Sequence, residues 1–560
     1  MATTWSGEAR ISIIRSTPAF DRGIKTNPRS SGRVPPQAVT ADLRRRMNPG
    51  RSGGLNVGGS LLDADMADRT EPRRHLSLED YEAVAQLSSV VRDLRREARR
   101  LVPLLHKRRI WMVNSTERGG GVAELLPPLI GLMRELGVDT RWLVMKTAEP
   151  DFFRLTKRLH NLIHGQGEAG LGPAERGLYE RVSRDVADAL RAQIAPGDVV
   201  VVHDPQPMGA GAMLRETMDI AAIWQCHIGL DHETRQTRAA WAFLGDYASA
   251  YDRAVFSAPD YIPGCLAGRA TTIHPAIDPL SHKNRELPIH KLVGILANAG
   301  LIKPIGPLLT PAFPDPARRL RADGTWALAS AREDIGLLVR PIVTQVSRWD
   351  RLKGFLPLMM GFVALKRGLA GRADLNGWDR RVLALARLVL AGPDPAAIAD
   401  DPEAQEVLAE IAEAYARLEP ALQEAIVILS LPMSSQKYNA LMVNALQRCS
   451  DVVAQNSLSE GFGLTVTEAM WKQVAVMGSR AAGLRQQIRP GLDGCLVENP
   501  EDPAEIARTL DGLLRDQPKR EVLARSAQQR VHDEFLVFTQ VRLWLELISD
   551  AVKARWNDGP

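Results

Sequence analysis

The chain has 560 residues, of which 45% are hydrophobic and 24% are charged. These proportions are typical of a soluble globular protein, and the length predicts two or three domains. The sequence contains no apolar run of about 18 residues or more and no secretory signal, so we expect neither a membrane span nor export.

The basic charge of the chain is concentrated at its N-terminus. Residues 1–75 contain 13 Lys and Arg residues and 7 Asp and Glu residues, whereas the rest of the chain contains 58 basic and 59 acidic residues. No base-reading motif accompanies this charge, so we expect no specific nucleic-acid partner. Residues 1–75 are also rich in Gly, Pro, Ser, Asn and Arg, which predicts a disordered basic tail.

The four cysteines indicate the compartment rather than a site. Their positions are far apart and include no Cys-x-x-Cys pair: Cys226, Cys265, Cys449 and Cys495. This usage fits reduced thiols, predicts no metal site and favours a cytoplasmic location.

Residues 76–285 are predicted to form a first α/β domain. Apolar residues recur at helical spacing over 77–105, and helical patterns return over 122–136 and 152–165. Between the helical patterns lie short, almost continuous apolar runs at 109–114, 140–145, 198–205, 220–229 and 251–258. Continuous apolar strands that alternate with helices predict a parallel sheet covered on both faces.

The alternation of strands and helices stops after residue 285 and resumes at residue 340. Residues 286–339 are rich in Pro and are predicted to be a linker or an insertion. Residues 340–534 are predicted to form a second α/β domain, and a final helix over 535–555 is expected to cross back to the first one. The predicted strands are 340–347, 385–392, 424–432, 451–457 and 474–479, and the predicted helices are 353–367, 403–417, 436–448, 502–515 and 518–533.

Candidate ligand-binding groups in the first domain follow its strands. Gly120 and Gly121 end a glycine run that opens a helix, where free N–H groups can meet an anion. A plain turn is the alternative, and the incomplete glycine fingerprint disfavours a nicotinamide dehydrogenase. Asp204 and His227 follow two other strands, where they could orient a sugar or move a proton. A structural histidine and a turn-forming Asp204 before Pro205 are the alternatives.

Two cations follow the first strand of the second domain. Arg348 and Lys353 are five residues apart at a strand end, where they could neutralise a diphosphate. Two solvated surface cations are the alternative interpretation.

The sequence SEGFGLTVTEAM, residues 459–470, raises the question of what its two glutamates do. Gly461 and Gly463 permit a tight turn before a helix. Thr465 and Glu468 fit a capping box, so Glu468 could simply fix its own helix. Glu460 precedes the turn, where its carboxylate could accept hydrogen bonds from sugar hydroxyls.

Taken together, these motifs carry a resemblance to a known family. The order SRWDRLKG and then SEGFGLTVTEAM resembles the retaining glycosyltransferases of the GT-B fold. The segments HDPQP, WQCHIGLD and NALQRCSDVVAQNSLSEGFGLTVTEAMWK resemble the trehalose glycosyltransferring synthases, over residues 76–285 and 340–555. The resemblance implies an α/β protein with two facing Rossmann-like domains, and a reaction in which a nucleoside-diphosphate glucose donates glucose to free glucose.

The resemblance also implies roles for the candidate residues. Glu460 would bind hydroxyls of the donor sugar, Glu468 the nucleotide ribose, and Arg348 and Lys353 the diphosphate. The remaining assignments are His227 and Asp204 in the sugar and acceptor pocket, Gly120 and Gly121 near the diphosphate and acceptor, and Gly461, Phe462, Gly463 and Leu464 in the donor-binding loop.

No tightly bound cofactor is implied, and no metal is needed if Arg348 and Lys353 neutralise the leaving group. The expected partners are a nucleotide sugar and a small sugar acceptor, and a homodimer is left open. A trehalose phosphorylase and a regulatory nucleotide-sugar-binding protein without turnover remain alternatives.

Overall fold

Two β-sheets, one in each half of the chain, form the framework of the molecule. The computed structural model describes residues 67–70, 76–117, 121–304, 306, 308, 310–331, 334–395 and 402–556. All of these residues belong to one unit, Ala64–Pro560.

The first sheet has the strand order β1-β3-β2-β4-β5-β6-β7 and is parallel except for β1 at its edge. Val199–His203 is buried throughout, because the sheet is covered on both faces. The strands are β1 (Ala67–Thr70), β2 (Ile110–Asn114), β3 (Thr140–Met145), β4 (Val199–His203), β5 (Ala221–Cys226), β6 (Arg253–Phe256) and β7 (Ala270–Thr272).

Seven α-helices belong to this half among the described residues. The predicted helix over 77–105 is in fact two helices and a short 3-10 turn, and Ser77 caps the first of them with a hydrogen bond from the Asp80 N–H. The helices are α1 (Leu78–Glu82), α2 (Ser88–Leu101), α3 (Gly121–Glu135), α4 (Pro150–Ile163), α5 (Pro173–Arg191), α6 (Met208–Thr217) and α7 (Arg235–Ser249).

The predicted disordered tail, residues 1–75, needs one correction. Residues 67–70 form β1, which pairs antiparallel with β3 through its backbone. An edge strand needs only backbone hydrogen bonds, so composition gives little sign of it. The rest of the predicted tail, 1–66 and 71–75, lies outside the described residues.

The second sheet has the order β15-β14-β13-β10-β11-β12-β8-β9, in which β10 to β15 are parallel. Its half of the chain contains α8 (Ile289–Asn298), β8 (Arg318–Leu320), β9 (Trp326–Leu328), β10 (Ile342–Val346), α9 (Phe355–Gly368), α10 (Gly377–Leu385), β11 (Arg387–Pro393), α11 (Pro402–Ala416), α12 (Pro420–Ala425), β12 (Ile426–Leu431), α13 (Gln436–Arg448), β13 (Val452–Gln455), α14 (Leu464–Trp471), β14 (Ala475–Ser479), α15 (Ala482–Gln487), β15 (Cys495–Val497), α16 (Pro503–Arg515) and α17 (Gln517–Arg530).

The Pro-rich span 286–339 carries secondary structure of its own. Helix α8 packs against α13, and the β8–β9 hairpin extends the second sheet antiparallel to β12. Leu296, Leu301 and Leu337 from this span are buried in the same apolar cluster as β12. The described part of the span therefore belongs to the second half and is more than a plain connection.

The last helix, α18 (Val537–Trp556), returns to the first half of the molecule. Near its start, the Phe538 ring packs edge-on against the Tyr81 ring, with 5.0 Å between the ring centroids. Near its end, Arg555 Nη2 lies 2.6 Å from Asp219 Oδ1, and Trp556 donates to the other oxygen at 2.9 Å. The chain therefore crosses between the halves twice, and the crossings touch where Ile277 bridges Leu536.

Candidate active site

The loop that follows β13 brings Glu460 to the carboxyl end of the second sheet. Gly463 ends this loop in the left-handed conformation, with φ of 85°, and α14 begins at the next residue. A Cβ atom on Gly463 would lie 2.8 Å from Leu484 and 3.0 Å from the Glu460 side chain. Glycine at this position therefore lets the Glu460 side chain fold back over the turn.

The predicted capping box at Thr465 and Glu468 is wrong. The N-cap of α14 is Gly463, which has no side chain to cap the helix, and Thr465 already lies in the first turn. The Glu468 carboxylate is buried and lies 3.6 Å from the Nζ atom of Lys283. Glu468 is thus paired with a distant residue and not with the start of its own helix.

Lys353 and Glu460 form an ion pair at the centre of the candidate site. The Lys353 Nζ atom lies 2.9 Å from both carboxylate oxygens, and the two side chains are 16% and 10% exposed. Ser457 Oγ donates to the same carboxylate at 3.0 Å, and Gln455 Nε2 donates at 3.3 Å. Because three side chains donate to this carboxylate, the lysine is held in one place.

Gly354 brings the Lys353 turn against the Glu460 loop. Gly354 is left-handed, with φ of 62°, and an added Cβ atom would lie only 2.0 Å from the carbonyl oxygen of Asn456. Asp350 caps the turn by accepting a hydrogen bond from the Leu352 N–H at 2.8 Å. Only glycine permits such a close approach of two backbone segments.

Arg348 occupies a different environment from Lys353. Its side chain is 67% exposed, and its Nη2 atom lies 4.0 Å from Asp350. The two predicted cations are at the same strand end, but Lys353 is fixed and Arg348 is open to solvent.

In the first half, the structure brings Asp204 and His227 together at adjacent strand ends. Asp204 has a positive φ of 62°, a conformation that Asp tolerates better than most residues. Its carboxylate accepts a hydrogen bond from the His227 N–H at 2.9 Å. Asp204 thus shapes the loop that presents the His227 side chain.

His227 forms a buried pair with His203. The His203 Nδ1 and His227 Nε2 atoms are 3.1 Å apart, and the rings stack with centroids separated by 5.5 Å. Burial lowers the pKa of both imidazoles, and the charge of Asp204 opposes this effect at His227. The pair is therefore neutral at physiological pH, and its hydrogen bond fixes the orientation of the rings.

The sequence interpretation missed two histidines. His160 lies on α4, and His164 directly follows this helix. His160 and His164 have ring centroids 5.0 Å apart. Burial and the charge of Lys353 lower the pKa of His164. Burial, with smaller effects of His164, Lys157 and Arg348, lowers the pKa of His160 to about 3. Both imidazoles of the first half are thus kept neutral by burial, and the charges of Lys353 and Arg348 in the second half act on them. Their spacing of four residues was the available signal.

The strand-end loops of the two halves are in direct contact. The Tyr261 hydroxyl donates to the carbonyl oxygens of Glu460 and Gly461, at 2.9 Å and 2.8 Å. Arg485 of α15 pairs with Asp231 at 2.7 Å and with Asp260 at 3.2 Å. These contacts place the Glu460 loop beside the loop that carries His227.

The other predicted donor-loop residues differ in their surroundings. The Phe462 ring is buried between His274 and Phe535, each with a centroid distance of 5.7 Å, so this residue can offer a ligand only its backbone. Leu464 is the first residue of α14 and packs against the apolar core. Gly121 begins α3 with open space around the position of a Cβ atom. Gly120 lies outside the described residues.

The described residues contain neither a candidate metal site nor a candidate membrane span. No group of three His, Cys, Asp or Glu side chains in this part of the chain could hold a metal ion. No helix within the same residues has both the length and the apolar character needed to cross a membrane.

Comparisons with known proteins agree with this architecture. Residues 112–263 match the family described as trehalose synthase, N-terminal domain, and residues 395–530 match glycosyl transferases group 1. The chain is 31% identical to the trehalose synthase of Pyrococcus horikoshii over 479 residues, which is 84% of this chain and 96% of the relative. It is 24% identical to the trehalose phosphorylase of Grifola frondosa, over 91% of this chain and 65% of the relative.

A solved structure shows the same fold. The α,α-trehalose-phosphate synthase of Burkholderia vietnamiensis superposes with a TM-score of 0.56 at 16% identity, over 80% of this chain and 99% of that one. The molecule has the GT-B fold, with two Rossmann-like α/β halves, and the predicted fold class is confirmed.

Proposed function

Because the chain belongs to the trehalose synthase family of GT-B glycosyltransferases, we propose that it transfers glucose from a nucleoside-diphosphate glucose to a sugar acceptor. The proposed acceptor is free glucose, the product is trehalose, and the anomeric configuration is retained. The observation that carries the proposal is the Lys353–Glu460 pair, which lies where the strand-end loops of the two halves meet.

In the proposed site, Lys353 and Arg348 bind the diphosphate of the donor. Lys353 supplies a fixed charge, because Glu460 holds its ammonium at 2.9 Å. Arg348 supplies a mobile charge, since its exposed guanidinium is free to close on a bound phosphate. Cations aimed at a leaving group stabilise the charge that develops in the transition state.

Glu460 is proposed to bind hydroxyls of the donor sugar. A carboxylate offers about four lone-pair directions, and Lys353, Ser457 and Gln455 leave room for a further donor. Glu468 is proposed to accept hydrogen bonds from the ribose. The backbone of Gly461, Phe462, Gly463 and Leu464 would complete the donor loop.

His227 and Asp204 are proposed to line the acceptor side of the site, with Gly121 and Gly120 near the diphosphate. The His203–His227 hydrogen bond keeps the His227 ring in one orientation, so that it can bind a sugar hydroxyl without first reorganising.

The proposed reaction is a displacement on one face of the donor sugar. The bond between the anomeric carbon and the diphosphate oxygen breaks, and its electron pair stays on the diphosphate. The acceptor hydroxyl oxygen bonds to the same carbon from the same side, and its proton passes to the departing diphosphate. Two cations at the leaving group make a metal ion unnecessary in this scheme, and unchanged turnover in EDTA would support that part of it.

A donor-by-acceptor matrix tests the proposal. UDP-, ADP- and GDP-glucose are each combined with glucose and a panel of other sugars, and the linkage of any product is determined by NMR. The proposal predicts trehalose from at least one donor with glucose. Donor binding without transfer to any sugar would instead support a regulatory protein.

The likeness to a fungal trehalose phosphorylase supports a second candidate function. Such an enzyme would convert trehalose and phosphate into glucose 1-phosphate and glucose without any nucleotide. An assay for glucose 1-phosphate in the presence and absence of nucleoside diphosphate separates the two functions, since the phosphorylase forms it in both cases and the synthase, which forms nucleoside-diphosphate glucose and glucose from trehalose and nucleoside diphosphate, forms it in neither. The proposed location is the cytoplasm. A homodimer is left open, and light scattering of the purified chain determines the oligomeric state.

A further inference from the structure

The segment Asp278–Glu286, which we call the strap, is the first of the two crossings between the halves. At its start, the Asn284 side chain donates to the carbonyl oxygen of Asp278 at 3.0 Å. Along its length, Asn444 of α13 donates to the carbonyl oxygens of His282 and Arg285, at 3.1 Å and 2.9 Å. The backbone of the strap is therefore fixed against the second half.

Lys283 of the strap contacts both halves at once. Its Nζ atom lies 3.6 Å from Glu468 on α14 and 3.6 Å from Glu124 on α3, the helix that follows the glycine run. The Glu468 side chain is 7% exposed, whereas that of Glu124 is 66% exposed. Lys283 is thus a single ammonium shared by a buried and an exposed carboxylate on opposite sides of the site.

A second lysine, Lys472, connects the strap to α14 through hydrogen bonds. The buried Lys472 donates to the carbonyl oxygen of Glu468 at 3.0 Å and to the Asn284 side chain at 3.2 Å. The residue that follows Lys283 is therefore tied to the same turn of α14 that carries Glu468. This arrangement leaves little freedom for the distance between the Lys283 backbone and Glu468.

The charges of the two glutamates favour a protonated Lys283 between them. The nearby negative charge, that of Glu468 first and Glu124 after it, raises the pKa of Lys283. A buried carboxylate that loses its paired cation is strongly unfavourable, so Glu468 depends on Lys283 for its charge pairing.

We propose that Lys283 is a positioning residue for the donor: it holds the Glu468 carboxylate in place for the ribose and couples it to α3 through Glu124. This inference rests on the proposed function, in which Glu468 faces the ribose. A ligand hydroxyl that donates to Glu468 shares the carboxylate with Lys283, which keeps that carboxylate in place. Sharing the carboxylate draws the ammonium towards Glu124, so donor binding affects the helix that follows the glycine run.

Steady-state kinetics of the full chain test this proposal, with the donor among UDP-, ADP- and GDP-glucose that the wild type uses best. Lys283→Met is expected to raise the donor KM about tenfold, with kcat at saturating donor within about threefold of wild type. Lys283→Arg is expected to restore most of the affinity. Lys437→Met is the matched control, because this exposed lysine on α13 influences His282 of the strap and lies outside the proposed site.

Coupling through Glu124 is tested with a double-mutant cycle. Glu124→Gln is expected to raise the donor KM about threefold in the wild-type background and to have no effect in the Lys283→Met background. An unchanged donor KM in Lys283→Met would overturn the positioning role, and additive effects of the two substitutions would overturn the coupling. If Lys283→Met fails to fold, Glu124→Gln decides the same point, since an unchanged donor KM in this variant overturns the proposal.

The two levels of failure are distinguishable by isothermal titration. Failure of the proposed function appears as no binding of any of the three donors to the wild-type protein, and it overturns the proposal with it. Failure of the proposal alone appears as normal donor binding in both the wild type and Lys283→Met.

Discussion

The ammonium of Lys353 lies 2.9 Å from each carboxylate oxygen of Glu460, although 107 residues separate the two in the chain. The pair joins the two motifs that the sequence singled out, and Tyr261 of the first half holds the Glu460 loop by its backbone. A cation fixed in this way is preorganised to meet a leaving phosphate group.

The two cations proposed to bind the diphosphate, Lys353 and Arg348, are predicted to contribute differently to stability. Lys353→Ala and Arg348→Ala should each lower kcat about 100-fold or more, the loss expected for a preorganised charge-stabilising group. Lys353→Ala should also lower the free energy of unfolding by roughly 3 kcal/mol, because it leaves Glu460 without its buried counterion. Arg348→Ala should leave the free energy of unfolding almost unchanged, since Arg348 is 67% exposed. Kinetics and urea denaturation measure both effects, and wild-type turnover in either folded variant would contradict the proposed binding of the diphosphate by both cations.

Gly354→Ala is predicted to destabilise the protein by roughly 2 kcal/mol or more. The new Cβ atom would occupy a left-handed residue and lie 2.0 Å from the carbonyl oxygen of Asn456, so the Lys353 turn would have to move away from the Glu460 loop. Gly512→Ala is the matched control. Gly512 lies inside α16 with open space around it, and the substitution should stabilise the helix by about 0.5–1 kcal/mol. Equal thermal shifts in the two variants would contradict the close-approach argument.

Glu468→Gln is predicted to raise the donor KM about tenfold and to leave the acceptor KM unchanged, because a neutral amide accepts ribose hydroxyls less well than a carboxylate. Helix capping no longer competes as an explanation, since Gly463 is the N-cap. Glu498→Gln serves as the control, because Glu498 is a mostly exposed glutamate paired with Arg480. A drop in stability with a normal donor KM would instead assign Glu468 a purely structural role with Lys283.

Lys472 is predicted to make stability depend on pH. Burial lowers the pKa of Lys472 to about 7 in the folded protein, against 10.5 for an ordinary lysine. Between these values the unfolded chain binds the additional proton, so the free energy of unfolding should rise with pH by up to about 1.4 kcal/mol per pH unit from this group. Urea denaturation of the wild type and of Lys472→Met between pH 7 and pH 10 measures the difference. The slope should be smaller in the variant, and identical slopes would contradict the burial effect.

Many of the strands and helices could be predicted from the local pattern of apolar residues in the sequence. The strand at Thr140–Met145 and the helix at Gln436–Arg448 have the predicted bounds, because a continuous apolar run and an amphipathic repeat are local signals. The strand-end position of Arg348, Lys353 and Glu460 followed from the same patterns, since polar residues directly follow each apolar run.

The errors concern features that depend on distant contacts. The three-residue strands β8 and β9 are too short to show an alternating pattern, and they form because β12 offers an open edge. The capping interpretation of Glu468 failed because its partner, Lys283, is 185 residues away in sequence. The same reason explains why the rings of His160 and His164 were not assigned to the site, since their neighbours Lys353 and Arg348 belong to the other half.

The central claim is tested most directly by NMR of the product formed from a nucleoside-diphosphate glucose and glucose labelled with 13C at C1. The account predicts a disaccharide in which one oxygen joins the labelled carbon to C1 of the transferred glucose, with the α configuration at both anomeric carbons. It also predicts that the product is absent without donor and falls about 100-fold in Lys353→Ala. A β linkage at the transferred glucose, or wild-type product formation in Lys353→Ala, would contradict the account.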